Sequence, residues 1–228
     1  SVMATWIITG GNRGIGKEFI HQLLSKNQTV ITGVRNPEQM DAKHELLSIL
    51  KLDVSDSQSV IEFAQSVSQI TEQVDVLVNN AGRIDGRWQT IGEVDPDVSL
   101  DVLNVNTIGP LRVTQALWPL LEKTEHSKVA NISSLMGSID DCLSGRSYAY
   151  RTSKTGLNMI TKILSVEGQY TDVSVSCYHP GWVQTDMGGE RAPVQPHESV
   201  EGLIGLIEMQ TIERSGRFFE YTGVELPW

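Results

Sequence analysis

Cysteine is scarce in this chain, with only Cys142 and Cys177 among 228 residues. Two thiols so far apart in sequence make neither a disulfide framework nor a zinc site, and a reducing cytoplasm is the simplest compartment for them. Basic charge is also short. Lys and Arg number 18 against 28 Asp and Glu, for a net charge of -10, whereas a nucleic-acid footprint needs clustered cations to replace counterions along phosphates. The acidity mainly favours solubility, and any phosphorylated cofactor must be met by a local set of donors because the global field repels it. Long apolar runs are missing as well. No stretch approaches the ~18 residues of a membrane span, and the start lacks the basic-then-apolar pattern of a signal peptide. Ser1 and Val2 precede Met3 and read as a remnant placed ahead of it. There is no low-complexity tract, linker or solenoid-length repeat. What remains is ordinary globular composition, 39% hydrophobic and 20% charged, over a length that suits one large α/β domain spanning residues 1–228.

Short apolar runs alternate with helical periodicity along the whole chain. Thr5-Trp6-Ile7-Ile8 ends in glycines, and Ile15, Phe19, Ile20, Leu23 and Leu24 follow at helical spacing. Further strand-length runs lie at 30–31, 49–52, 74–78, 129–132, 173–176 and 218–220, with helices expected over 57–71, 97–123, 147–167 and 198–212. Regular βα alternation implies a parallel sheet covered on both faces, and such sheets bind ligands at the carboxyl ends of their strands.

Two motifs at such positions carry chemistry. Thr9-Gly10-Gly11-Asn12-Arg13-Gly14-Ile15-Gly16 stands where the first strand becomes the first helix. Glycines there permit a tight turn and close approach of a pyrophosphate to backbone N–H groups. A triphosphatase loop, G-x-x-x-x-G-K over residues 11–17, is rejected because Glu18 stands where Ser or Thr would ligate magnesium. The second motif is Tyr150-x-x-x-Lys154. On a helix these two share a face, so an ammonium beside the phenol would favour the phenolate and draw the tyrosine towards working pH.

Together the glycine spacing and Tyr150-x-x-x-Lys154 resemble the classical short-chain dehydrogenase/reductases. Asn79-Asn80-Ala81-Gly82, Asn106 in a V-N-x-x-G stretch, Ser133-Ser134 and Pro180-Gly181-Trp182-Val183-Gln184-Thr185 agree in chain order. Segments 148–154, 179–183 and 185–189 are similar to the carbonyl-reductase branch that includes sniffer and the C-factor proteins. The resemblance covers essentially the whole chain. It implies a single-domain, Rossmann-like doubly wound sheet of about seven strands. It also implies a nicotinamide cofactor and a small-molecule carbonyl substrate, a cytoplasmic homodimer or homotetramer, and no nucleic acid, membrane or metal. Tyr150 would give the proton, Ser134 would fix the carbonyl oxygen with Ser133 as the weaker alternative, Lys154 would also grip the nicotinamide ribose, and Asn106 would anchor a water relaying protons towards Lys154. Gly10, Asn12, Arg13, Gly14, Ile15, Gly16, Arg35, Asp53, Val54, Asn80, Ala81, Gly82, Pro180, Gly181, Val183 and Thr185 complete the cofactor set. Tyr148 lacks a lysine at the required spacing and reads as packing or substrate wall.

After the second strand, Thr32-Gly33-Val34-Arg35-Asn36 offers no acid for ribose hydroxyls and does offer Arg35, which fits the 2′-phosphate of NADP(H). Arg13 would add a second charge. Asp53 would accept from the adenine amino group. Between Ser134 and Tyr150 the chain is longer than in most of the family, a surface excursion bordering the pocket, in which Asp140-Asp141 reads as solvated loop. Segment 184–196 reads as a lid, and Trp88, Trp182, Leu135 and Met136 as core or pocket wall. Three functions stay open at this point: an NADPH-dependent carbonyl reductase, a cofactor-binding signalling protein of C-factor type, and an NADP-dependent alcohol dehydrogenase.

Overall fold

A computed structural model describes residues 3–228; Ser1 and Val2, read above as a remnant, lie outside the described residues. Seven strands form one sheet: β1 Thr5–Thr9, β2 Thr29–Val34, β3 Leu47–Lys51, β4 Val76–Asn79, β5 Ser127–Ile132, β6 Val173–His179 and β7 Phe218–Glu220. Every pairing is parallel and the spatial order is β3-β2-β1-β4-β5-β6-β7. The strands read as continuous apolar runs because both faces are covered. On one face α1 (Gly14–Ser25) and α6 (Pro196–Glu208) pack Phe19, Leu23, Val200 and Leu203 against Ile8, Val78 and Tyr178. On the other, α2 (Ser57–Ile70), α4 (Gly109–Leu121) and α5 (Tyr148–Gly168) bring Phe63, Val113, Leu117 and Leu164 against Ile7, Leu77 and Val129. The expected doubly wound, Rossmann-like sheet is present. Its strand order reverses between β1 and β4, so the crevice for a ligand opens where their carboxyl ends meet.

Helix boundaries move by a few residues from expectation, and one expectation changes in kind. The helix foreseen over 97–123 is α3 (Pro96–Leu103), a π-helical turn at Asn104–Ile108, and then α4. Pro110 brings no N–H to the hydrogen-bond ladder, so the carbonyl of Asn106, four residues earlier, has no α-helical donor. Arg112 steadies the opened turn, donating to the Asn104 carbonyl at 3.2 Å, the Asn104 Oδ1 at 2.6 Å and the Val54 carbonyl at 2.9 Å. The last expected helix stops at Glu208, and a short 3-10 turn follows at Ile212–Arg214.

Candidate active site

The carboxyl ends of β1, β4, β5 and β6 deliver the sequence motifs to one end of the sheet. Gly10 at φ 72° and Gly14 at φ 54° take left-handed backbone that side chains rarely adopt. A Cβ on Gly16 would collide with the Gly10 carbonyl and the Asn80 amide. The glycine turn is therefore folded on itself and braced from β4. Asn80 Nδ2 donates to the Thr9 carbonyl at 3.1 Å, and the backbone N–H groups of Asn80 and Ala81 donate to Thr9 Oγ1 at 2.9 and 3.0 Å. Thr9 links the two motifs, a part not singled out from sequence.

Helix α1 starts at Gly14 after Arg13, with no side-chain cap and no acid in its first turn. Its leading N–H groups keep their capacity to meet an anion. Asn12 and Arg13 are exposed, Ile15 is half-buried, and Thr185 lies over Gly14. A cleft of about 510 Å³ runs from Gly14, Lys17 and His21 to Gln184, Thr185 and Pro196. Just past β2, Arg35 is exposed, and its charge reaches Asp53. The Asp53 carboxyl is held below its usual range, first by the Ser55 hydroxyl, which donates at 2.6 Å, and then by the Ser55 N–H, Arg35 and Arg112, against burial. Asp56, not Asp53, caps α2. Val54 is buried against Gly109.

The second cluster forms where β5 meets α5. Ser134 starts a 3-10 turn, Leu135–Gly137, and its Oγ accepts from Met136 N–H at 3.1 Å. Gly137 lets that turn lie on α5, since a Cβ there would stand 2.8 Å from Lys154 Cβ. Its carbonyl accepts from Thr155 Oγ1 at 2.9 Å and Asn158 Nδ2 at 3.2 Å. Gly137 escaped the sequence reading because it belongs to no motif. Ser133 turns away and donates to Asn158 Oδ1 at 2.6 Å, so Ser134 is the serine beside Tyr150.

Lys154 is buried, with Nζ donating to the Ile132 carbonyl at 2.9 Å and standing 5.7 Å from the Tyr150 ring centroid. Burial lowers it to about 8. The expected lowering of Tyr150 by this cation is not what the chain itself shows. Burial pushes the phenol up, and the Ser134 hydrogen bond and the Arg87 charge only partly oppose it. The tyrosine thus stays protonated at working pH, as a proton donor requires. Asn106 spends its side chain on bracing: Oδ1 accepts from Arg83 N–H at 2.9 Å, and Nδ2 donates to the Arg83 carbonyl at 2.8 Å and Ser153 Oγ at 3.1 Å. Gly82 faces both Asn106 Oδ1 and Lys154 Nζ, where a Cβ would stand 3.2 and 3.8 Å away.

Pro180, Gly181 and Val183 follow β6. The Pro180 carbonyl accepts from Ser199 Oγ, Gly181 has φ 82° with Tyr221 against its Cα, and Val183 is buried. The expected lid, residues 184–196, is tied at its base by Gln184 N–H to the Val194 carbonyl at 2.8 Å. Trp88 and Trp182 are 59% and 56% exposed, so they belong to the surface of the opening and not to the core. The excursion before Tyr150 is exposed as expected, and Ile139 N–H donates to the Trp228 carbonyl. Asp140 and Asp141 are exposed loop residues, and no three potential metal ligands gather among the described residues. No helix among them is long and apolar enough to cross a membrane.

Known proteins share the sequence pattern and the fold. The short chain dehydrogenase family matches residues 4–195. The C-signal protein of Myxococcus xanthus is 43% identical over 158 residues, covering 69% of this chain and 95% of that protein. Among solved structures, the carbonyl reductase Sniffer of D. melanogaster superposes with a TM-score of 0.94 at 32% identity, and an NADPH-bound carbonyl reductase from chicken fatty liver with 0.92 at 32%, each over the full length of both chains. The chain belongs to the short-chain dehydrogenase/reductase family of oxidoreductases.

Proposed function

We propose that this protein is an NADPH-dependent carbonyl reductase acting on an aldehyde, ketone or quinone through one domain that comprises the whole chain. The observation that carries the reading is the meeting of Ser134, Tyr150 and Lys154 at the carboxyl ends of β4 and β5, since binding alone needs no buried proton donor. The residues fit the cofactor. The uncapped start of α1 and the tight turn at Gly10, Gly14 and Gly16 suit a pyrophosphate, and Asn12, Arg13, Ile15 and Thr185 border it. Arg35 suits a 2′-phosphate, with Asp53 and Val54 at the adenine. Asn80, Ala81 and Gly82 after β4, and Pro180, Gly181 and Val183 after β6, would hold the nicotinamide half.

NADPH, when bound, supplies the hydride. Ser134 holds the carbonyl oxygen. Tyr150 gives it the phenolic proton, and the Lys154 ammonium stabilises the phenolate left behind. Asn106 has its side chain engaged, so the group it offers a proton-relaying water is its carbonyl, which Pro110 leaves without an i+4 donor. The fold of the NADPH-bound relative supports the choice of cofactor.

A second reading, a cofactor-binding signalling protein of C-factor type, draws on the 43% identity to C-signal. Incubating the protein with NADPH and a panel of aldehydes, ketones and quinones separates the two. Steady NADPH consumption with at least one carbonyl supports the reductase. Tight NADPH binding without consumption across the panel favours the second reading.

A further inference from the structure

One cation at the opening is used by neither the cofactor set nor the proton donor. Beyond Gly82 the loop after β4 leaves the glycine turn and closes onto the amino end of α5. Trp88 N–H donates to Ser147 Oγ at 3.0 Å, and Ser147 N–H to the Gln89 carbonyl at 3.1 Å. This junction is built from strained backbone. Trp88 has φ 71°, Arg146 83° and Ser147 61°, none of them glycine. It fixes the residue before Trp88. Arg87 is half-exposed, with its guanidinium 5.5 Å from the Trp88 ring centroid and Nη1 3.5 Å from the Met187 carbonyl on segment 184–196. Its charge acts on the Tyr150 phenol.

What Arg87 lacks is an anion. No carboxylate lies within ion-pair distance of it among the described residues, while its neighbour Arg83 is paired with Asp85. A guanidinium offers five donors in a planar fork that matches a carboxylate, and one contact at the limit of hydrogen bonding leaves most of them unused. In a chain of net charge -10 this places a local positive potential against the prevailing field, at the opening next to the proton donor. Trp88, held exposed beside it, adds a flat apolar surface.

We propose that Arg87 selects the substrate, and that the carbonyl compounds accepted here carry a carboxylate that pairs with its guanidinium while the carbonyl lies at Ser134 and Tyr150. This rests on the reductase reading above.

The test compares 4-carboxybenzaldehyde with its methyl ester, by NADPH consumption, for wild type, Arg87→Gln and Arg87→Lys. In wild type the acid should exceed the ester in kcat/KM by about ten-fold to a hundred-fold, mostly through KM. The ratio should fall to near unity in Arg87→Gln and be partly kept in Arg87→Lys. An acid-to-ester ratio that is the same in wild type and Arg87→Gln overturns the proposal. A second readout needs no turnover: quenching of tryptophan fluorescence by benzoate, followed to saturation in wild type and Arg87→Gln. Saturable quenching lost in the variant supports Arg87 as the anion site even where neither aldehyde is reduced, an outcome that bears on turnover and not on Arg87. Quenching equal in both proteins, or absent from both, counts against Arg87.

Discussion

In the proposed reduction, Tyr150 and Lys154 would divide the work of one proton transfer, because burial moves them in opposite directions. Taking charge out of water raises the phenol and lowers the ammonium, to about 8 for Lys154. For reduction, Tyr150 must be protonated and Lys154 cationic. The first condition holds across the working range, and the second is lost as pH rises through the folded-state value of Lys154. The expected profile of kcat/KM is flat below about pH 8 and falls with rising pH above it, by up to ten-fold per unit, measured from about pH 6 to about pH 10. A profile still flat at the upper end would remove Lys154 from the proton-transfer step. Arg35 bears on a separate question. A charge-assisted contact to a 2′-phosphate should make NADPH bind about ten-fold to a hundred-fold more tightly than NADH, and Arg35→Ala should erase most of that ratio. Titration of both cofactors into both proteins measures it, and an unchanged ratio in the variant would move the phosphate elsewhere, Arg13 being the other exposed cation of the turn. The pairing of Tyr150 with Lys154 is legible from a spacing of four. The direction of the tyrosine's shift is not, because burial is a tertiary quantity and Lys154 reaches the Ile132 carbonyl instead of the phenol.

Two glycines in two turns make separable demands on the site. In the turn between β1 and α1, a side chain at Gly16 would meet backbone at Gly10, so Gly16→Ala must open the cradle proposed for the pyrophosphate. In the 3-10 turn after β5, a side chain at Gly137 would meet Lys154 and lift Ser134 away from α5. Each overpacking should cost about 1 to 3 kcal/mol of stability. The functional losses should differ. Gly16→Ala should weaken NADPH binding with little change in kcat at saturating cofactor, whereas Gly137→Ala, which presses on Lys154, should lower kcat even at saturating cofactor as well as weaken NADPH binding. Calorimetric titration alongside steady-state kinetics checks both, and an unchanged kcat at saturating NADPH in Gly137→Ala would contradict the assignment. Sequence periodicity locates the strands and helices well, since buried parallel strands are apolar throughout and helices carry one apolar face. It misses the π turn at Asn104–Ile108, where a register change leaves the apolar pattern intact and only Pro110 hints at the break. The bracing of β4 by Thr9 and the packing of Gly137 on α5 stay hidden for a similar reason, since both are contacts between distant segments.

Winding about β1 and β4 is what joins these parts. The sheet order reverses there, and Thr9 of β1 is hydrogen bonded to the backbone of Asn80 and Ala81 after β4. The two halves of the proposed site therefore share one scaffold, with the glycine turn on one side of the crevice and the Ser134, Tyr150 and Lys154 cluster on the other. That juxtaposition is legible in the order of the motifs along the chain once a parallel sheet is inferred, because strand ends are where such sheets hold ligands. Arg87 is not legible in this way, as its position depends on the strained junction of Trp88 with Arg146 and Ser147. On the proposed function, this scaffold brings a hydride and a proton to one carbonyl, with Tyr150 as the proton's source. Its most direct test is the turnover rate at saturating NADPH for Tyr150→Phe against wild type, on the best carbonyl of the panel. The rate should fall about 10² to 10⁴-fold, the usual contribution of a positioned acid; retention of most of the wild-type rate would exclude Tyr150 as the proton donor.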